Sequence, residues 1–172
     1  MNVKDERSSD AGNAVSLRTE LRSGDLGWVV HRHGLLYAAE YDWNVEFEAL
    51  VASVVAGFGK QHDPTRERCW FAEIDGTMVG SVFLVRNSDS VGQLRLMLVE
   101  PEARGRGIGT RLVRECLGFA RAAGYSTVKL WTNSVLVDAR RIYARAGFRL
   151  VESEPYHAFG HDLTSEFWEI EL

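Results

Sequence analysis

Residues 101–109 read Pro-Glu-Ala-Arg-Gly-Arg-Gly-Ile-Gly, and this stretch restricts the fold more than any other part of the chain. Before it, residues 93–99 alternate with Leu94, Leu96 and Leu98 on one face, the period of a half-buried strand. After it, Ile108, Leu112, Cys116, Phe119, Ala120 and Ala123 recur at helical spacing through residues 108–123. A strand therefore feeds a glycine-rich turn that opens a helix. The first N–H groups of a helix have no intrahelical acceptor, and with the helix dipole they attract an anion. Gly105, Gly107 and Gly109 let the main chain approach a ligand closely, and Arg104, Arg106 and Arg111 add positive charge. The pattern predicts a diphosphate held mainly by backbone, with arginine support. Spacing argues against two relatives of this motif. A dinucleotide fingerprint needs glycine where Thr110 stands, and no Lys-Ser or Lys-Thr pair follows the glycines as in a P-loop.

The rest of the chain supplies the layers around this turn. Residues 15–21 alternate and predict a first strand, and Ser23 or Asp25 is placed to cap the helix that follows. That helix aligns Leu26, Val29, Val30, His33, Tyr37 and Glu40 on one face. Phe47, Leu50, Val51, Val54, Val55 and Phe58 predict a second helix over about 44–60, followed by a loop at 59–67. Residues 68–74, the Asp75-Gly76 turn and residues 77–85 predict a hairpin. Beyond the glycine turn and its helix, Gly124 is a stop signal. A short buried strand follows at 128–131, then a helix at 136–146 ending at Gly147, and final strands at 148–154 and 167–172. This order predicts one mixed α/β domain over 15–172, not a doubly wound dinucleotide fold. Residues 1–14 are polar and small and predict a disordered leader with no secretory signal.

Composition narrows the partners. A net charge of −4 disfavours nucleic acid, and no run approaches the ~20 apolar residues that span a bilayer. Cys69 and Cys116 lie inside apolar periodic runs without metal-ligand spacing, which predicts reduced core cysteines in a cytoplasmic protein. His31 and His33, two apart on a helix, point away from one another, so no metal is expected. Phe159 and Trp168, read as exposed, permit a homodimer.

A second motif lies downstream. Ala139-Arg140-Arg141-Ile142-Tyr143-Ala144-Arg145-Ala146-Gly147-Phe148 resembles motif B of the GNAT acetyltransferases, A-x-x-x-Y-x-x-x-G-F, and the glycine turn resembles their motif A. Within that family the chain looks closest to the acetyltransferase half of proteins that fuse a MarR-type winged helix to a GNAT domain. The residues carrying this likeness are 27–41, 47–51, 94–109 and 130–148. The winged-helix half is absent, so DNA binding is not carried over.

The resemblance implies the acyl-CoA N-acyltransferase fold, with a mostly antiparallel central sheet flanked by helices. It also implies acetyl-CoA as co-substrate and direct attack by an amine in a ternary complex. It places Tyr143 as proton donor to the leaving thiolate, a sensible task for a phenol near sulfur. Met97, Leu98, Val99, Arg104, Gly105, Arg106, Gly107, Ile108, Gly109 and Thr110 become the cofactor contacts. Two departures matter. An asparagine usual seven residues before the tyrosine is Leu136 here, so Asn133 is the candidate for its polar contact, with helix capping as the alternative. A glutamate base found in some members falls at Gln93. The base is therefore open among Glu40, Glu46, Glu73 and His33. His33, Tyr37 and Glu40 are the acceptor-side candidates on the first helix. Arg95, on an otherwise leucine-rich strand, is placed either to clamp a substrate carboxylate or to pair with an acid such as Glu73. The acceptor is left unidentified, an acyl-CoA sensor without turnover is the alternative, and a longer acyl donor is a third reading.

Overall fold

The computed structural model describes residues 14–172, so the leader expected over 1–14 lies, up to residue 13, outside the described residues. The elements in order are β1 (Val15–Arg18), α1 (Asp25–Tyr41), α2 (Val45–Gln61), β2 (Arg68–Ile74), β3 (Thr77–Arg86) and β4 (Val91–Val99). A single 3-10 turn (Pro101–Ala103) leads to α3 (Ile108–Ala122), β5 (Thr127–Asn133), α4 (Val137–Ala146), β6 (Arg149–Ala158) and β7 (His161–Glu171). The strands form one seven-stranded sheet in the order β1-β2-β3-β4-β5-β7-β6. Every neighbouring pair is antiparallel except β4 with β5, which is the pair joined by the α3 crossover. The mixed α/β class with a mostly antiparallel sheet is as expected.

Both faces of the sheet are covered, which explains the apolar runs of β2 and β3. On β2, Trp70 and Ala72 point into the cluster built by α3 and α4, while Cys69 and Phe71 point into the one built by α1 and α2. Cys69 and Cys116 are both free and buried, on opposite faces. Three ion pairs tie α1 and β1 to the sheet. Arg18 reaches Asp25 at 2.7 Å and Glu73 at 2.7 Å, and Arg32 clasps Glu100 at 2.6 Å at the end of β4. Burial pulls the Asp25 carboxyl up, but the Arg18 guanidinium and the Arg22 N–H outweigh it and hold its pKa below the usual value.

Several expectations need correction. Neither Ser23 nor Asp25 is the α1 N-cap. Gly24 holds that position, and Asp25 is the first helical residue, its carboxylate accepting from Arg18 and from the Arg22 N–H. The first strand stops at Arg18, short of residue 21. The last two strands are longer than their apolar runs suggested and form a hairpin across Phe159-Gly160. β6 is an edge strand exposed along most of its length, so burial imposes no period on it, and Pro155 is tolerated there. Phe159 and Trp168 are buried at 6% and 8% exposure, so neither supplies a free apolar surface for a dimer. Phe159 packs on Trp43 and Phe47 with ring centroids 4.8 and 5.2 Å apart.

Leu94, Leu96 and Leu98 do not share a face. Leu96 has φ 54°, and the β3 register shifts between Ser81 and Phe83, which marks a bulge. Leu94, Met97 and Val99 consequently pack toward α3, and Leu96 packs toward α1 and α2. The Ser81 hydroxyl donates to the Leu96 carbonyl at 2.9 Å, satisfying the acceptor that the bulge exposes.

Candidate active site

The bulge falls where the sheet opens. β4 pairs with β5 from Val91 to Leu94 only, against Thr127 to Leu130, and the two strands then part. Beyond Leu94 the β4 main chain keeps its β3 partners on one side and is open on the other. The opening is bordered by α1 on one face and by the turn before α3, together with α4, on the other. Two cavities meet in it.

The larger cavity, about 540 Å³, is lined by Met97, Leu98 and Val99 of β4, by Arg104, Gly105, Gly107, Ile108, Gly109 and Thr110, and by residues of α1 and α4. Its volume falls within the range of small-molecule sites. Gly107 is the N-cap of α3 with φ 74°, a conformation that suits glycine, and it offers no side chain to the helix start. The first intrahelical bond of the turn runs from the Arg111 N–H to the Gly107 carbonyl at 3.0 Å. The amides of Ile108, Gly109 and Thr110 thus have no helical acceptor, and no acidic residue stands in the first turn. Gly109 is needed for a different reason. A Cβ there would stand 2.7 Å from Ile142 Cδ1, so glycine lets α4 pack closely beside the loop.

The arginines divide unequally. Arg104 lines the cavity but is engaged by Glu40 at 2.6 and 3.1 Å, and its Nε donates to the Val99 carbonyl at 3.1 Å. The Glu40 carboxylate raises the Arg104 pKa further. Arg106 is exposed and is not part of the cavity wall. Arg111, counted with the loop cations from sequence, donates to the Val15 carbonyl at 2.7 Å and spends that contact on β1. The wall also includes Tyr41, Asp138, Arg141 and Arg145, which the sequence reading did not single out. The three on α4 follow the i, i+3, i+7 spacing of one helix face, a signal present in the sequence.

The smaller cavity, about 80 Å³, lies on the α1–α2 side. Its wall brings together His33, Tyr37, Arg95, Asn133 and Tyr143 with Trp43, Phe47 and Trp131. Tyr37, Met97, Leu136 and Ala139 line both cavities and form the partition between them. Asn133 thus sits on the smaller cavity, not the larger, and its side-chain Oδ1 accepts from the Tyr156 hydroxyl at 2.8 Å.

Tyr143 lies one turn after Ala139 on α4, beside the partition, and burial pushes its phenol well above the ordinary value, so it stays protonated. Burial likewise pushes the Tyr37 phenol up. His33 is buried. Its Nδ1 lies 2.7 Å from the Val29 carbonyl and its Nε2 has no partner. Burial lowers its pKa to about 4, so the ring is neutral at pH 7, with Nδ1–H donating to the carbonyl and a lone pair on Nε2.

The remaining base candidates are engaged elsewhere. Glu46 accepts from the Phe159 N–H at 3.2 Å, and Glu73 pairs with Arg18. Neither lines a cavity, and Gln93 does not either. Arg95 does not pair with Glu73. It forms no hydrogen bond or ion pair with any described residue, and burial is the one influence on its pKa, lowering it. Among the described residues no cluster of three or more His, Cys, Asp or Glu is placed to hold a metal, and no helix is long and apolar enough to cross a membrane.

Comparison with known proteins agrees with this geometry. The chain is 36% identical over 131 residues to human N-acetyltransferase 8B, and 31% identical over 138 residues to a camello N-acetyltransferase of Xenopus tropicalis. These matches cover 73% and 76% of this chain and 58% and 63% of the relatives. It is also 39% identical over 95 residues to the N-acetylaspartate synthetase of Danio rerio, covering 54% of this chain and 34% of that protein. The chain thus spans between a third and two thirds of the length of these relatives.

Among solved structures, an acetyltransferase of Salmonella typhimurium with its cofactor acetyl-CoA superposes with a TM-score of 0.71, at 17% identity over 92% of this chain and 94% of that one. A ribosomal-protein-alanine N-acetyltransferase of Brucella melitensis gives 0.73 at 18% identity over 91% and 99%. They share the acyl-CoA N-acyltransferase fold described above. Residues 26–148, most of the chain, match the model of the Acetyltransferase (GNAT) family, and the protein belongs to that family.

Proposed function

We propose that this protein is an acetyl-CoA-dependent N-acetyltransferase in which an acceptor amine attacks the thioester directly. The observation that carries this is the junction of the two cavities. A chamber ending on unspent α3 amides meets a smaller chamber carrying a protonated phenol and an imidazole lone pair, across a partition of four side chains. The names of the curated relatives, all N-acetyl transfer or synthesis, support the same chemistry.

The loop from Arg104 to Thr110 would hold the diphosphate, chiefly through the Ile108, Gly109 and Thr110 amides. Arg141 and Arg145 stand on the same wall to meet further phosphate charge. The open β4 main chain at Met97, Leu98 and Val99 would hold the arm that reaches inward, and one of its amides would face the oxygen that gains charge. Bound acetyl-CoA supplies the activated acetyl group.

An ordinary lysine-type amine has a pKa of about 10.4 and an α-amine about 8, so the attacking nitrogen must lose a proton. That proton goes to solvent, and the unpartnered His33 Nε2 would accept a hydrogen bond from the remaining N–H; with its pKa lowered to about 4 the ring orients the amine and does not itself hold the proton. The new nitrogen–carbon bond forms as the carbon–sulfur bond breaks. The sulfur takes the Tyr143 proton, which solvent then replaces. Glu40 lies on the larger cavity and supports Arg104, so we assign it a positioning role rather than that of base.

The finer likeness, to the acetyltransferase half of winged-helix fusions, rests on the sequence segments named above and bears on what the enzyme works beside, not on its chemistry. Two buried reduced cysteines support work in the cytoplasm, where thiols stay reduced. The test is thiol release from acetyl-CoA with a panel of amines. Amine-dependent release is expected, and Tyr143→Phe should lower kcat by about 10²–10⁴-fold while leaving acetyl-CoA affinity within about twofold. Binding without amine-dependent release would replace the enzyme by a sensor. An equal loss of turnover and affinity would make Tyr143 a packing residue.

A further inference from the structure

We infer that the acceptor is a small monocarboxylic amino acid, its carboxylate bound by Arg95 and its apolar side chain set against the aromatic wall of the smaller cavity. This rests on the N-acetyltransferase reading above. Arg95 stands two residues before Met97 on β4, about 6–7 Å of strand from the partition where the thioester would lie. It lines the cavity and has no hydrogen-bond or ion-pair partner among the described residues. Glu40, the glutamate on the larger cavity, is committed to Arg104, and Glu73, Glu100 and Glu166 are committed to Arg18, Arg32 and Arg140. A partly desolvated cation left unpaired is costly, and a ligand carboxylate that matches its planar fork would relieve that cost.

The second unpartnered group in the same wall is the buried His33 Nε2, an acceptor for an N–H. A cation for a carboxylate and a lone pair for an amine, in one chamber, match the two ends of an amino acid. Trp43, Phe47, Leu50 and Val51 form the apolar part of the wall, its other polar members Thr132, Asn133 and Tyr143 are neutral, and Arg95 is its one charged side chain, so nothing there pairs with a second carboxylate. Size agrees. At about 80 Å³, and with a water needing about 10–15 Å³, the chamber takes roughly five to eight water-sized groups. That suits a single residue, and a residue inside a polypeptide lacks the free carboxylate that Arg95 would bind.

The test compares kcat/KM for leucine, leucinamide, 3-methylbutylamine and aspartate in the wild type and in Arg95→Met and Arg95→Lys, with the KM for acetyl-CoA measured alongside. Leucine should exceed leucinamide and 3-methylbutylamine by about a hundredfold in the wild type. Arg95→Met should erase that preference without changing the KM for acetyl-CoA, and Arg95→Lys should keep part of it. If the variants fail to fold, the wild-type ratio alone decides. Equal turnover of the carboxylate-free amines, or aspartate preferred to leucine, overturns the inference while leaving the acetyltransferase intact. No thiol release with any amine overturns the enzyme reading itself, and this inference with it.

Discussion

His33 ties the candidate site to the stability of the fold, and its effect can be worked out. In the folded chain the imidazole is buried against Tyr37 and Phe47, and burial lowers its pKa from 6.5 to about 4. The unfolded chain therefore binds a proton here more readily than the folded one. With the folded pKa depressed, the neutral ring costs nothing above the unfolded value, and stability falls as pH drops from about 6.5 toward 4. At about 1.36 kcal/mol for each pKa unit, the ceiling is about 3 kcal/mol. Between pH 7 and pH 5 the expected loss is about 2 kcal/mol. Asp25 adds little in that window, because its contribution is full above the ordinary value of 3.8 and is lost only as pH falls from there toward its depressed folded pKa. The assay is urea denaturation at pH 7 and pH 5 for the wild type and for His33→Phe, which keeps an aromatic ring in the stack and removes the titration. The other four histidines remain in both proteins, so the difference between the two pH slopes isolates His33. Equal slopes would show that the ring reaches water when protonated, and the reasoning about an enclosed lone pair would fall with it.

The two loop glycines should respond differently. Gly107→Val forces a β-branched residue to φ 74° with open space around it, whereas Gly109→Val meets Ile142 Cδ1. Both should weaken acetyl-CoA binding at least about tenfold by calorimetry, but only the Gly109→Val loss of Tm should be partly restored by Ile142→Ala. Phe159→Ala should cost about 3–5 kcal/mol in chemical denaturation, because its ring closes the β6–β7 turn onto Trp43 and Phe47. A loss under about 1 kcal/mol would mean that the hairpin tip is not anchored there.

Much of the site was readable before any fold was known, because its physics is local. A run of glycines opening an amphipathic helix leaves N–H groups unspent wherever that helix is placed. Tyr143 falls on a spacing that sets it one turn from Ala139. Helix ends at Gly147 and the Asp75-Gly76 hairpin turn follow from backbone preferences within a few residues. β2 and β3 were legible because the Asp75-Gly76 turn joins two largely apolar runs, whereas β4 carries Gln93 and Arg95 between its apolar residues and its faces were misassigned. β6 was only half legible, because an exposed edge imposes no such pattern on its side chains.

Amino-acid order alone thus determined the glycine-rich turn with its unspent amides, the elements around it and the supply of arginines, histidine and tyrosine. Tertiary structure decided which of these groups are spent. The bulge at Leu96 and the parting of β4 from β5 depend on pairing between distant strands, and no residue type at position 96 announces them. Glu40 became the partner of Arg104, Glu73 that of Arg18, and Arg95 was left without one among the described residues, because charge pairing is set by which side chains long-range packing brings within about 4 Å.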